Sequence, residues 1–232
     1  NGVFAKTRLT GVSGILYSLL KRRYCILGDW RMKKRVKELA TVQTGYSFRS
    51  RLEAVENGNL AVIQMKDLLD NNTVSCDDLM RVDMEEKEHH FVKKGDLVFR
   101  SRGQMATSAV LLDDPGKAVV AAPLLRIRVK RPDVILPEYL NWYISQREAQ
   151  IFLNSRAKGS AQKMISKRTV EELEVALPSV EKQKSIVELA ALSAREQELL
   201  HALADKRARY VSAVLMQDAI AGREGLWNHR TH

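Results

Sequence analysis

Arg100 and Arg102 flank Ser101 at the end of a short apolar run, Gly95-Asp96-Leu97-Val98-Phe99, and Gly103 closes the segment. Leucine, valine and phenylalanine suit a packed strand and glycines punctuate its two ends, so Leu97 to Phe99 reads as a buried strand that discharges into two guanidinium groups. Such groups cannot be buried unpaired. Each offers a planar fork of donors that fits phosphate oxygens, or the O6/N7 edge of guanine, in a bidentate manner. An internal pair with Asp96 or Asp113 is the alternative use.

Residues of similar kind recur at three other places. Gly45-Tyr46-Ser47-Phe48-Arg49 is a glycine-marked loop with an aromatic ring, a hydroxyl and a base, and Lys66-Asp67 stands at the exit of the apolar run Leu60 to Met65. From Lys158 to Arg168 the chain sets Lys158, Lys163, Lys167 and Arg168 among Gly159, Ser160, Gln162 and Ser166, the mixture a loop needs if its backbone and side chains are to approach phosphates. The candidate nucleic-acid-binding residues are therefore Tyr46, Ser47, Arg49, Lys66, Arg100, Ser101, Arg102, Lys158, Ser160, Gln162 and Lys163. Asp83-Met84-Glu85-Glu86-Lys87-Glu88 is acidic and should face away from phosphate.

Catalytic chemistry finds less support. An adenine methyltransferase needs a glycine-rich cofactor loop and an Asn/Asp-Pro-Pro-aromatic segment; Asp113-Asp114-Pro115-Gly116 has neither the second proline nor the aromatic and reads as a turn. A nuclease needs clustered metal-binding carboxylates near a lysine. His89 and His90, on a strand, would point to opposite faces, and Cys25 and Cys76 are too few and too far apart for a disulfide framework or a zinc site. Ser101, Ser160 and Ser166 have no histidine and acid arranged to activate them. A non-catalytic binding module in a reducing, cytoplasmic setting is the expectation.

These candidates need a framework of strands. Val36 to Thr44 reads as a helical turn or strand, Thr107 to Leu112 and Ala118 to Val129 as strands, and Leu173 to Pro178 as a final strand ended by proline. Within the second, Leu125-Arg126-Ile127-Arg128-Val129-Lys130 alternates apolar and basic residues, which lays a basic ladder on one face, with a solvated face as its ordinary explanation. Pro137 opens a helix whose Tyr139, Leu140, Tyr143 and Ile144 share one side, and Arg147 to Leu153 extends or repeats it.

After Ser179, a helix N-cap, residues 180 to 221 contain no proline or glycine and carry Ile186, Leu189, Ala190, Ser193, Leu200, Leu203, Tyr210, Val211 and Val214 at three- and four-residue steps. This is one long amphipathic helix stopped at Gly222, a rod of about 60 Å that wants a partner helix. The net charge of the 232-residue chain is +10, but residues 1 to 35 hold nine Lys and Arg against Asp29 alone, so the rest is nearly neutral and must bind nucleic acid through local clusters. Leu9 to Leu20 is too short and too interrupted to span a bilayer. Residues 1–31 read as an extension or fragment, 32–178 as the domain, 179–222 as the helix and 223–232 as a tail.

Several pieces in this order resemble the specificity subunits of type I restriction–modification systems: Lys37-Glu38-Leu39-Ala40 with Gly45-Tyr46-Ser47-Phe48, Val62 to Asp67, Gly95 to Gly103, the Pro137-Glu138-Tyr139-Leu140 helix, Gly159-Ser160 before Ile165, and Leu173 to Pro178 followed by Glu181-Lys182-Gln183. The resemblance implies a mixed α/β (α+β) target recognition domain that reads one half of a bipartite double-stranded DNA sequence, followed by a helical spacer for coiled-coil pairing. It also implies methyltransferase subunits docked on the chain, a restriction subunit reached through them, and S-adenosylmethionine and ATP held only on those partners, with no cofactor here. Such subunits usually hold two recognition domains and two helices. This chain has one of each, so a half-subunit that forms an antiparallel homodimer, or one that pairs with a second specificity chain, is expected. The alternative from another class is a non-catalytic scaffold that assembles partners through its helix.

Overall fold

The computed structural model describes residues 32–48, 52–68, 73–74, 76, 78–85, 88–103, 106–159 and 163–227, the last seven of these by backbone alone. Residues 1–31 and the candidates Arg49, Ser160 and Gln162 lie outside them.

In chain order the elements are β1 (Lys33–Arg35), α1 (Val36–Leu39), β2 (Ala40–Thr44), β3 (Leu60–Ile63), β4 (Met80–Val82), β5 (Leu97–Arg100), β6 (Ser108–Val110), β7 (Ala118–Val120), β8 (Leu124–Val129), α2 (Pro137–Ile144), α3 (Arg147–Ser155), α4 (Lys167–Glu171), β9 (Glu174–Ala176) and α5 (Val180–Trp227). The described residues up to Gln183 form one compact unit and those from Lys184 onward a second. This is the expected mixed α/β domain followed by a long helix.

Three small sheets build the first unit. β2, β8, β5 and β6 form an antiparallel four-stranded sheet in that order, β4, β3 and β7 a mixed three-stranded one, and β1 pairs with β9. β3 is parallel to β7, and its unbroken Leu-Ala-Val-Ile text is explained by cover on both faces. Ala61 and Ile63 pack with Val98, Leu111 and Leu124, while Leu60 and Val62 pack with Val82, Val119 and Ala121.

Four sequence expectations change. Ala118 to Val129 is two strands, not one, because Ala121–Pro123 turns the chain from one sheet to the other, with Ala122–Pro123 cis. His89 and His90 sit in a single-turn helix, Glu88–His90, with their rings 4.0 Å apart, rather than on opposite faces of a strand. Ser166 caps α4 by accepting from Thr169 N–H at 3.1 Å, so Lys167 and Arg168, the last two residues of the stretch from Lys158, belong to a helix and not to the loop. Finally, α5 runs through Gly222 to Trp227, because a glycine stops a helix only where the following backbone turns away to use its left-handed freedom.

The start of α5 is held by a side chain that the sequence reading left without a role. Gln183 is fully buried; its Oε1 accepts from Leu136 N–H at 2.9 Å, and its amide donates to Val134 O at 2.9 Å and Pro178 O at 3.0 Å. One amide thereby satisfies three backbone groups on the segment before α2 and on the approach to α5.

Candidate nucleic-acid interface

Strand register brings the candidate residues to one corner. β2 and β5 both run antiparallel to β8, and their last residues, Thr44 and Arg100, pair with Leu125 and Leu124 at the start of β8. β3 and β7 run parallel and finish side by side, Ile63 with Val120, immediately before the Ala121–Pro123 turn that feeds β8. Four strands therefore release their chains at the same place. What leaves them is Tyr46 and Ser47 from β2, Gln64 to Lys66 from β3, and Ser101 and Arg102 from β5.

The corner is tied by specific bonds. Tyr46 N–H donates to Val120 O at 2.7 Å and Ala122 N–H to Tyr46 O at 2.8 Å, while Gly45 N–H reaches Leu124 O at 2.8 Å. A Cβ on Gly45 would lie 2.7 Å from the Ala121 carbonyl carbon, so only glycine lets the β2 exit come this close. Arg100 donates through Nη2 to Met65 O at 3.1 Å, and the buried Ser101 hydroxyl donates to Pro123 O. Both residues brace the corner from within. Between these braces a cleft of about 470 Å³ opens, lined by Ser47, Phe48, Gln64, Met65, Ala122 and Pro123 among others. Lys66 is exposed on the single-turn helix Met65–Asp67, which Asp67 closes by accepting Gln64 N–H at 2.7 Å.

Beyond Ser101 the chain enters a small ribbon. Arg102 and Lys158 each pair antiparallel with Met164, one on either side. Ile165 N–H donates to Ser101 O at 2.8 Å and Gly103 N–H to Lys163 O at 3.3 Å, while Lys158 and Met164 exchange both backbone bonds at 3.0 and 2.8 Å. Arg102 and Lys163 are thus neighbours on one side of the domain.

The two arginines of the ladder on β8 are not on a solvated face, although Lys130 at its end is exposed. Arg126 is buried and donates to Phe91 O at 2.7 Å, to His89 O at 3.1 Å and to Gln43 Oε1 at 2.5 Å. Burial pulls its pKa down, with Arg128 adding to the effect, yet a guanidinium keeps its charge. Arg128 engages Asp96 through Nε and Nη2, and that hydrogen bonding pushes its pKa up. Asp96 therefore pairs with Arg128 and not with the arginines at the end of β5. The two arginines of the ladder hold the turn before β5, whose His90 ring lies 5.7 Å from Tyr46.

The acidic run divides. Asp83 accepts from Asn59 N–H at 3.2 Å, at the far end of β3 from Lys66, whereas Glu88 opens the turn that reaches Tyr46. Lys167 and Arg168 are engaged within α4, at 3.6 Å from Glu171 and 2.9 Å from Glu172. Among the described residues no three His, Cys, Asp or Glu side chains gather as a metal site would require. No helix among them is long and apolar enough to cross a membrane.

The described residues thus form a mixed α/β domain with polar and basic strand exits at one corner, followed in the chain by a long helix. Residues 28–203 match the family described as the type I restriction modification DNA specificity domain, and the chain belongs to that family. Two solved structures share its fold: the HsdS subunit from Thermoanaerobacter tengcongensis (18% identity, TM-score 0.53, covering 80% of this chain and 43% of that one) and a chain from a structure of type I R-M system assembly and conformational transition (18%, TM-score 0.60, covering 84% and 46%). The chain spans less than half the length of either. No curated protein matches it in sequence.

Proposed function

We propose that this chain is a sequence-reading specificity subunit, or half-subunit, of a type I restriction–modification complex: a non-catalytic module that recognises one half of a bipartite double-stranded DNA target. The convergence of the β2, β3, β5 and β7 exits on the Ala121–Leu125 corner carries the reading, because it gathers polar and basic groups from distant parts of a nearly neutral body. Tyr46, Ser47, Lys66, Arg102, Lys158 and Lys163, with Arg49, Ser160 and Gln162 close to them in the sequence, meet the duplex, and Arg100 and Ser101 hold the corner in shape.

In this reading α5 pairs with the same helix of a second copy and docks methyltransferase subunits, through which a restriction subunit joins. S-adenosylmethionine and ATP belong to those partners, the chain itself holds no cofactor, and the complex works in the cytoplasm. Selection by the full chain from a randomised duplex library tests the proposal. One enriched sequence is expected, with affinity that falls steeply as salt rises; uniform recovery of the library would refute it.

A further inference from the structure

The ribbon beside the corner carries an apolar side chain where a phosphate-binding surface has no use for one. Met164 is the middle residue of the set Arg102, Met164, Lys158, and its side chain is 43% exposed while its neighbour Ile165 is buried. On the adjacent strand Ser101 is buried and Arg102 exposed, so burial follows the alternation of a pleated strand. Directly paired residues project from the same face. Arg102, Met164 and Lys158 therefore form one outward row, with the apolar chain in the centre and a cation on each flank.

The row has the dimensions of a major-groove reader. Neighbouring strands lie about 4.8 Å apart, which sets Arg102 and Lys158 roughly 10 Å from each other across Met164. The major groove is about 12 Å wide and admits a β-ribbon; its edges are phosphate, and the thymine 5-methyl is the apolar group that the base edges display there. The backbone bonds on both sides of Met164 hold its position, so the contact needs little further ordering. We infer that Met164 is a specificity-determining residue that packs on the 5-methyl group of a thymine in the target, with Arg102 beside it at the base edges and Lys158 on the flanking phosphate. This rests on the DNA-reading function proposed above.

The test takes the duplex enriched from a randomised library by the full chain and replaces each thymine in turn by deoxyuridine, which removes only the methyl group. At one position the wild-type chain should lose about fourfold in affinity, the value of one buried methyl. Met164→Ala should bind the thymine and uracil duplexes equally, and Met164→Leu should restore the preference, which a general loss of folding could not imitate. If no thymine methyl matters, or if Met164→Ala still discriminates, the assignment to Met164 is overturned while DNA reading stands. Enrichment of no sequence at all would remove the DNA-reading function, and the role of Met164 with it.

Discussion

Asp96 accepts Nε of Arg128 at 2.7 Å and Nη2 at 2.6 Å, joining the turn before β5 to the last residues of β8. The carboxylate is almost fully buried and also accepts Lys93 N–H at 2.9 Å, while Arg128 passes a further bond to Phe91 O at 2.9 Å. Removing one member of such a pair strands the other charge. Asp96→Ala should cost about 3 kcal/mol in urea unfolding with an unchanged m value. A loss of a few tenths would mean that water replaces the carboxylate without penalty.

Tyr139 gives the domain an alkaline limit. Its ring is buried, its hydroxyl donates to Ala176 O at 2.9 Å, and burial pushes its pKa well above the ordinary 10.0. Because the folded pKa exceeds the unfolded one, the contribution is complete below about pH 10 and is lost as pH rises from there toward the folded value. Tyr139→Phe should cost about 1 kcal/mol at neutral pH and flatten the fall in stability above pH 10. Parallel alkaline unfolding curves for the two proteins would assign the loss to another group.

Gln183→Leu should be more damaging than a surface change on the same helix. It leaves Leu136 N–H, Val134 O and Pro178 O without their partner in a dry site, at about 2–4 kcal/mol in total. Gln183→Glu keeps the acceptor toward Leu136 but turns both donors into acceptors facing carbonyls, so it should be no better. Thermal unfolding compares the two, with Lys184→Leu as the control; equal midpoints for all three would show that the buried amide does not anchor the helix.

The elements were legible from the sequence wherever period and punctuation agreed. Leu60 to Ile63 and Leu97 to Phe99 announced themselves by apolar runs between turn residues, and the amphipathic text after Ser179 announced α5. The partners of the arginines were not legible. Arg126 and Arg128 alternate with apolar residues as a solvated row would, and only the turn from Glu88 to Phe91, brought over β8, converts that row into an internal clamp. Nor could spacing reveal the ribbon, since Arg102 and Met164 are distant in the chain. Glycine signals were read well at Gly45, where backbone closeness demands the residue, and badly at Gly222, where nothing compels the helix to end.

Arg102 and Lys158 occupy equivalent places in the outward row yet differ in chemistry. A fork that reads a guanine edge discriminates, whereas an ammonium on phosphate does not. Arg102→Ala should weaken binding to the enriched sequence by about 1–3 kcal/mol and relax one position of it. Lys158→Ala should weaken all duplexes alike and lower the salt slope by about one. Equal losses on enriched and random DNA for Arg102→Ala would return it to the phosphate-binding class.

The helix predicts its own partner geometry. Leu189, Ser193, Glu196, Leu200, Leu203, Arg207, Tyr210 and Val214 recur at alternating four- and three-residue steps, and the leucines, tyrosine and valine among them are exposed in the isolated chain. In a parallel pair Glu196 would meet Glu196 and Arg207 would meet Arg207. In an antiparallel pair with its two-fold axis between His201 and Ala202, Leu189 meets Val214, Ser193 meets Tyr210, Glu196 meets Arg207 and Leu200 meets Leu203. Every apolar or charged residue then has a suitable opposite, so an antiparallel homodimer is the expected outcome, and under the DNA-reading function proposed above its two-fold axis would make the target a palindrome with an unread gap. Light scattering of the full chain at micromolar concentration should give twice the monomer mass. Glu196→Arg and Arg207→Glu should each shift the chain toward monomer by setting like charges together, and the double variant should recover the dimer. A dimer that neither single change weakens would exclude this register, and a helical wild-type monomer would exclude both the homodimer and the palindrome.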